Sequence, residues 1–474
     1  MNTLNDDILL GIFNAYRLDD KNRWNDRLGW CKLSHVCRRW RHLVYSSAFH
    51  LDVHIKCTYG TPIVDTLDHL SFLPLFVDYS KATATMSERD VLALCHALQE
   101  YNRLRSIDLS LPASISQMFL MLMDQPFPIL EFLRINSIPH DHEIAMPRLQ
   151  IPKTFLAPNL HKFILYHISP PKRLSFLSST VSLVFLTLNI RNSHYLFLGQ
   201  LVARLQSLSQ LESLAITFHT SHSGVEMEPL DEQGILVTLP NLKQFLFDGV
   251  NAYLECLVAQ IKAPRLEHVS VTLLRQKTFA LPHLVHFTNL TEGLKLPITK
   301  VTFSSNHRHG PHGVIISTEM AKIPCRKFAI SVMCKQLGQQ IDCATQICRA
   351  LTPILSHVET LRLESVGPGR SIKPTEWQHG TAWHELLRPF IGMKTLRVCP
   401  FLSQALSFVL QENNVGSDPE FLPGLQELVS GLYWNPACHP FDSFLHARRA
   451  AGRPVHSVFL RTNPSHRVGS GRRL

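Results

Sequence analysis

No stretch of the 474-residue sequence approaches the roughly 18–20 consecutive apolar residues needed to cross a bilayer. The most apolar short run, "MFLMLM" (Met118–Met123), reads as a buried segment. The eleven cysteines are scattered and contain no C-x-x-C pair, and the chain opens on "MNTLNDDILL" with no signal-peptide core. That pattern predicts reduced thiols in a cytoplasmic or nuclear protein. Charge is also sparse. Only 18% of residues are Asp, Glu, Lys or Arg against 45% hydrophobic, which excludes a disordered polyelectrolyte and predicts extensive burial. Absent as well are a P-loop, a G-x-G-x-x-G opening a helix, H-E-x-x-H and G-x-S-x-G. The expectation is therefore a non-catalytic protein with no cofactor and no metal.

The net charge of +10 is unevenly placed. From residue 440 onward there are seven arginines (Arg448, Arg449, Arg453, Arg461, Arg467, Arg472, Arg473) against Asp442 alone. A basic stripe on one element with a recognition motif would suggest nucleic-acid binding, but this distribution predicts a basic tail, residues 436–474, part of it lacking order. His307, His309 and His312 crowd the loop "NHRHGPHG", which has no carboxylate or thiol partner and no helical spacing, so a solvated loop is the expectation. Cys438 and His439 are adjacent with no third group to orient them, a poor arrangement for a nucleophile and its base.

The first fifty residues have a different character. Leu4, Ile8, Leu9, Ile12 and Phe13 fall on one face of a helix that Asn5 is placed to cap, with Asp6 and Asp7 at its positive end. After the polar stretch "RLDDKNRWNDRLG", a second helix over "WCKLSHVCRRWRHLVYSS" sets Leu33, Val36, Cys37, Trp40, Leu43 and Val44 on one side, and Arg38, Arg39, Arg41 and His42 on the other. Two short helices cannot cover both apolar faces with each other, so the unit needs a further surface to bury against. A hairpin packed on the following domain would meet that need. So would a protein groove, which the Trp and Cys favour over DNA.

The pattern L-x-x-D-I-L-L-x-I-F followed by L-x-x-V-C-R-x-W-R-x-L resembles an F-box, with Asn5 where that family usually has proline and a longer gap between the halves. Its continuation through "LDVHIKCTYGTP" is similar to F-box proteins abundant in mushroom-forming fungi. The resemblance implies docking to a Skp-type adaptor, and through it to a cullin, by Leu4, Ile8, Leu9, Ile12, Phe13, Leu33, Val36, Cys37 and Trp40.

Further along, twelve short segments share one pattern: apolar residues at positions 1, 4 and 6, with Ser430 in the last place of the twelfth. They begin at Leu104, Leu130, Leu160, Leu183, Leu211, Leu242, Leu266, Ile298, Cys325, Val358, Met393 and Leu425, on average about 29 residues apart. A strand turns positions 4 and 6 to the same side, and no single turn can enclose three apolar residues, so neighbours must stack. Helical segments lie between them, including "SERDVLALCHALQEYN", which Ser87 is placed to cap, "YLFLGQLVARLQSLSQ" and "AYLECLVAQIKA". Proline recurs just before the motif, as in "FPILEFL" and "LPNLKQF", stopping the incoming segment.

This repeat resembles a leucine-rich repeat solenoid. Three residues beyond position 6 that family has Asn or Cys, but here only Asn306 conforms, which predicts irregular turns. The expected fold class is α/β: an N-terminal helical F-box (1–50), a linker with the first strand and helix of the solenoid (51–100) and an irregular leucine-rich repeat domain (101–435). A mixed α/β domain without solenoid regularity is the alternative.

On such a scaffold the outward strand positions would hold a target. They carry Phe132, Arg134, Lys162, Phe185, His268, Lys300, Lys327, Arg362 and Arg397, against only the acids Asp108 and Glu427. A basic face with aromatics suits an acidic or phosphorylated segment, although a soluble sheet face is ordinarily polar. Together the two resemblances imply a substrate receptor of a Skp–cullin–F-box ubiquitin ligase, with an unknown protein target and neither membrane nor nucleic acid as partner. The alternative is a non-catalytic interaction scaffold unconnected with ubiquitination.

Overall fold

All twelve 1-4-6 segments are β-strands. The computed structural model describes residues 4–19, 31–48, 51, 53–60, 67, 70, 72–80, 86–138, 151–152, 154–167, 174–190, 196–218, 236–274, 278–289, 298–304, 313–319, 326–334, 337–366, 380–412, 422–432 and 441–461. The chain divides into two compact units, Met1–His219 and Thr220–Leu474.

The first unit begins with helices α1 (Asp6–Asp19), α2 (Cys31–Ser34) and α3 (Arg38–Ser46). Seven strands follow: β1 (Ile55–Cys57), β2 (Leu75–Tyr79), β3 (Leu104–Pro112), β4 (Phe132–Ile138), β5 (Lys162–Tyr166), β6 (Phe185–Ile190) and β7 (Ser213–Phe218). They pair in chain order, every neighbour parallel. Parallel strands need crossover connections, here supplied partly by the helices Glu88–Gln99, Ala113–Leu122 and Leu198–Leu205. Ser87 caps the first of these: its Oγ accepts from the Asp90 N–H at 3.2 Å and donates to the Asp90 carboxylate at 2.6 Å. "MFLMLM" is only half buried, since Phe119, Leu120 and Met123 face the core while Met118 and Met121 are exposed.

The residues at positions 1, 4 and 6 form the core. Leu183, Leu186 and Leu188 have no exposed surface, and their described counterparts in the other repeats are at most 7% exposed. A second regularity explains the recurrent proline. The position-1 N–H donates to the carbonyl three residues back, as in Leu130 to Phe127, Leu160 to Ala157, Leu242 to Leu239, Leu266 to Ala263 and Leu425 to Leu422. Pro128, Pro158, Pro240, Pro264 and Pro423 are therefore the second residue of a hydrogen-bonded β-turn, where a fixed φ is favourable and no N–H is required.

The second unit contains β8 (Val237–Thr238) and β10 (Ile261–Lys262), a small parallel pair. Its main strands are β9 (Gln244–Gly249), β11 (His268–Leu273), β12 (Ile298–Ser304), β13 (Gly313–Glu319), β14 (Arg326–Met333), β15 (Thr360–Val366), β16 (Thr395–Val398), β17 (Glu427–Leu432) and β18 (His456–Arg461). Their spatial order departs from a simple solenoid: β9-β11-β14-β13-β12-β15-β16-β17-β18. β13 is antiparallel to both neighbours, while β12 and β14 stay parallel to the rest. The segments at Ile298 and Cys325, read from the sequence as successive repeats, are thus separated by an inserted strand and placed in reverse order.

Asp442–Ala450 is helical and β18 adds to β17 in parallel, so the sheet runs past residue 435. Arg448 of the expected basic tail is buried and donates to the Leu425 carbonyl at 3.3 Å, tying that helix to the preceding turn.

Candidate functional site

The N-terminal helices are held together from both faces of the sequence pattern. Inward, Leu9 and Phe13 are each 1% exposed, and the Phe13 ring meets Trp40 edge to face at 4.8 Å. Outward, Arg39 from the cationic side donates through Nε to the Asp6 carboxylate at 3.0 Å and through Nη2 to the Leu4 carbonyl at 2.5 Å. The second expected helix is broken. α2 ends at Ser34, and the Cys37 sulfur caps α3 by accepting from the Trp40 N–H at 3.5 Å. Val44 is fully buried, and Tyr45 meets Phe72 edge to face at 5.0 Å, anchoring α3 to the chain leading into β2.

The nine residues assigned to an adaptor therefore fall into two groups. Leu9 and Phe13 lie in the interior, and in this conformation they offer a partner no surface. Leu33 and Trp40 are half-buried, while Cys37 is exposed at its cap. Leu4 (39% exposed), Ile8 (53%), Ile12 (46%) and Val36 (50%) remain open to solvent. Tyr16, at 37%, continues the Leu4–Ile8–Ile12 spacing by one more step and was missed, though the same four-residue interval marks it. Such an apolar row is costly to leave in water, at roughly 25 cal/mol per Å².

The outward strand positions form separate clusters. In the first unit, Phe132, Lys162 and Phe185 occupy directly paired positions on β4, β5 and β6. The Lys162 ammonium lies 5.6 Å from each ring centroid, within cation–π range of both. Arg134 is paired with Asp108 at 2.7 Å, and Lys56 with Asp78 at 2.8 Å. Burial raises the Asp108 carboxyl above its ordinary range despite Arg134. Burial acts the same way on Asp78, but hydrogen bonds from Lys56 and Ser80 outweigh it and leave that group lowered. The first unit's face is thus largely charge-compensated, not the open basic surface the residue types suggested.

In the second unit, His268 and Lys327 stand half-buried on β11 and β14. Lys300, Arg362 and Arg397 align on β12, β15 and β16, each directly paired with the next. Lys300 also reaches Glu364 at 2.7 Å, and Glu427, diagonal to Arg397, accepts from Thr395 Oγ1 at 3.3 Å.

The His307–His312 loop and the Cys438–His439 pair lie outside the described residues. Among those described, no group of three or more His, Cys, Asp or Glu could hold a metal, and no helix is long and apolar enough to cross a membrane. Comparison with protein-family models and with curated proteins gave no match.

Proposed function

We propose that this chain is a substrate receptor: it docks a Skp-type adaptor, and through it a cullin, by its N-terminal helices, and it holds a protein target on the outward face of its repeat strands. The observation that carries the reading is the open row Leu4, Ile8, Ile12 and Tyr16 with Val36, on a helical unit whose opposite side is already buried. The helices have satisfied their own fold and still present an apolar stripe, the form in which an amphipathic helix offers itself to a groove. Its chemical contribution would be proximity, bringing target lysines to ubiquitin activated by other subunits.

Co-purification with a Skp-type adaptor tests it, comparing wild type with Ile8→Asp/Ile12→Asp. Both side chains are about half exposed, so the double variant leaves the interior intact. The expected result is adaptor recovery with wild type and none with the variant. A folded wild type that recovers no adaptor would sink the ligase assignment.

A further inference from the structure

We infer that the outward face of the first unit carries a subsite for an acidic side chain set between apolar ones in an extended protein segment, built by Lys162 with Phe132 and Phe185. The inference rests on the proposed use of the repeat strands to hold a target, names the chemistry of that target, and does not involve adaptor docking.

Direct pairing sets Phe132, Lys162 and Phe185 in one row at the N-terminal ends of β4, β5 and β6, so their side chains leave the same face of the sheet. The chain entering these strands leaves the row open. Lys162 is exposed, Phe185 is 40% exposed and Phe132 is half-buried. The next outward positions on β6 are Thr187 and Asn189, so that strand does not need an exposed phenyl ring for its pairing.

Lys162 differs from the other outward cations of this unit. Arg134 holds the Asp108 carboxylate, and Lys56 holds that of Asp78. The Lys162 ammonium lies 5.6 Å from each ring centroid and has no carboxylate partner among the described residues. A ring quadrupole attracts a cation but carries no net charge to neutralise it. The three N–H donors of the ammonium are therefore available to an anion brought by a partner.

A carboxylate suits the position in charge. Its single negative charge equals the positive charge of Lys162. A phosphomonoester, at about −1.5 to −2, calls for a guanidinium as well, and Arg134 in the next row is already held by Asp108.

The rings define what flanks the acid. β4 and β6 lie two strand spacings apart, about 9.6 Å. In an extended segment the residues two before and two after the acid point to the same side as it does, about 13 Å from each other. Leucine-sized side chains at those places reach the two rings while the acid meets Lys162, so the segment reads apolar–x–acid–x–apolar. Covering Phe132 and Phe185 also removes water from around the ion pair, which strengthens it.

The full chain is titrated with the peptide G-L-S-E-S-L-G, capped at both ends, and binding is followed by saturation-transfer difference NMR. Two control peptides carry glutamine for the glutamate, or alanine for both leucines. Wild type should bind the glutamate peptide saturably, about three- to fivefold tighter than the glutamine peptide, with the strongest transfer to the leucine methyls. The alanine peptide should bind more weakly than the parent. Lys162→Gln should bind the glutamate and glutamine peptides equally, and Phe185→Ala should weaken both while keeping the preference between them. Both substitutions alter exposed side chains, so the fold is retained. Lys394→Ala, whose ammonium pairs with Glu359 at 2.7 Å, should behave as wild type, which separates the subsite from general attraction by a chain of net charge +10. Absence of saturable binding by the glutamate peptide, or a preference for glutamate that survives Lys162→Gln, overturns the subsite. Adaptor recovery by Lys162→Gln should equal wild type, so failure here is distinguishable from failure of the docking proposal.

Discussion

Two neighbouring residues of like size separate the structural from the docking face of α1. Leu9 is 1% exposed and Ile8 is 53% exposed. Truncating a buried leucine to alanine costs about 2–5 kcal/mol, from lost transfer energy and the cavity left behind. Two further attachments of α1 are each smaller. The Phe13–Trp40 ring pair contributes about 0.5–1.5 kcal/mol beyond its burial. The half-exposed Arg39–Asp6 pair contributes about 0–1 kcal/mol. Leu9→Ala therefore removes more than either of these two, and the loss should appear as local opening of α1 before global unfolding. Ile8→Ala removes a side chain already half in water, and the better helix propensity of alanine offsets part of that, so its effect should stay within about 0.5 kcal/mol. Amide hydrogen exchange across residues 6–19 reads both. Leu9→Ala should exchange at least about 30-fold faster, as a 2 kcal/mol loss requires, and Ile8→Ala near the wild-type rate. In adaptor recovery Ile8→Ala should do the greater harm per unit of stability lost. Equal acceleration by both substitutions would refute the assignment of faces and remove the basis for an open docking row.

Gly313→Ala should lower the denaturation midpoint of the second unit. A Cβ there would sit 2.0 Å from the Val332 carbonyl oxygen. Freeing it must part the paired ends of β13 and β14, at about 1–3 kcal/mol for two backbone hydrogen bonds. Gly11→Ala, by contrast, meets nothing within 4 Å inside α1 and should slow exchange of that helix, by about 0.5–1 kcal/mol of added stability. The Cys57 thiol gives a pH dependence: burial raises it from 9.0 to about 12, with Arg103 acting weakly the other way. Between those values the unfolded thiol is ionised while the folded one keeps its proton. The folded state then binds more protons, and stability must fall as pH rises. Urea unfolding from pH 8.5 to 11 should show that decline, with a shallower slope in Cys57→Ala; identical slopes would count against it.

Much of this architecture was legible because burial and hydrogen bonding repeat with the sequence. The 1-4-6 pattern, mostly Leu, Ile, Val and Phe, marked twelve strands, and proline marked the turn before five of them. What period-two alternation reports, however, is which side of a strand faces the core, not which strand lies beside it. β12 and β14 satisfy the pattern as well as any repeat, with Val301, Phe303, Phe328 and Ile330 all buried. Nothing in that pattern records that the chain passes to β12, returns through antiparallel β13 and only then lays β14 against β11. Gly313 is the residue through which the sequence could have disclosed it, since only a residue without Cβ tolerates so close an approach to Val332.

The candidate sites were legible to a similar depth and fail for the same reason. Residue type identified Arg134, Lys162, Lys300, Arg362 and Arg397 as outward cations, but whether a cation is available depends on its neighbours across the strands. Asp108 lies beside Arg134, two phenyl rings flank Lys162, and Arg397 lies beside Arg362. A basic face in the sequence thus resolves into a compensated cluster in the first unit and a directly paired Lys–Arg–Arg row in the second. Ser317 is paired with Lys300 at the end of that row. Ser317 belongs to β13, the strand the repeat pattern does not contain. Opening the stack to insert β13 places a buried serine hydroxyl beside Lys300, where a regular solenoid would have set the outward residue of the next repeat. The irregularity of the fold therefore also sets the surroundings of Lys300, and a chain in which β12 followed β11 directly would have the same cations without that serine beside them.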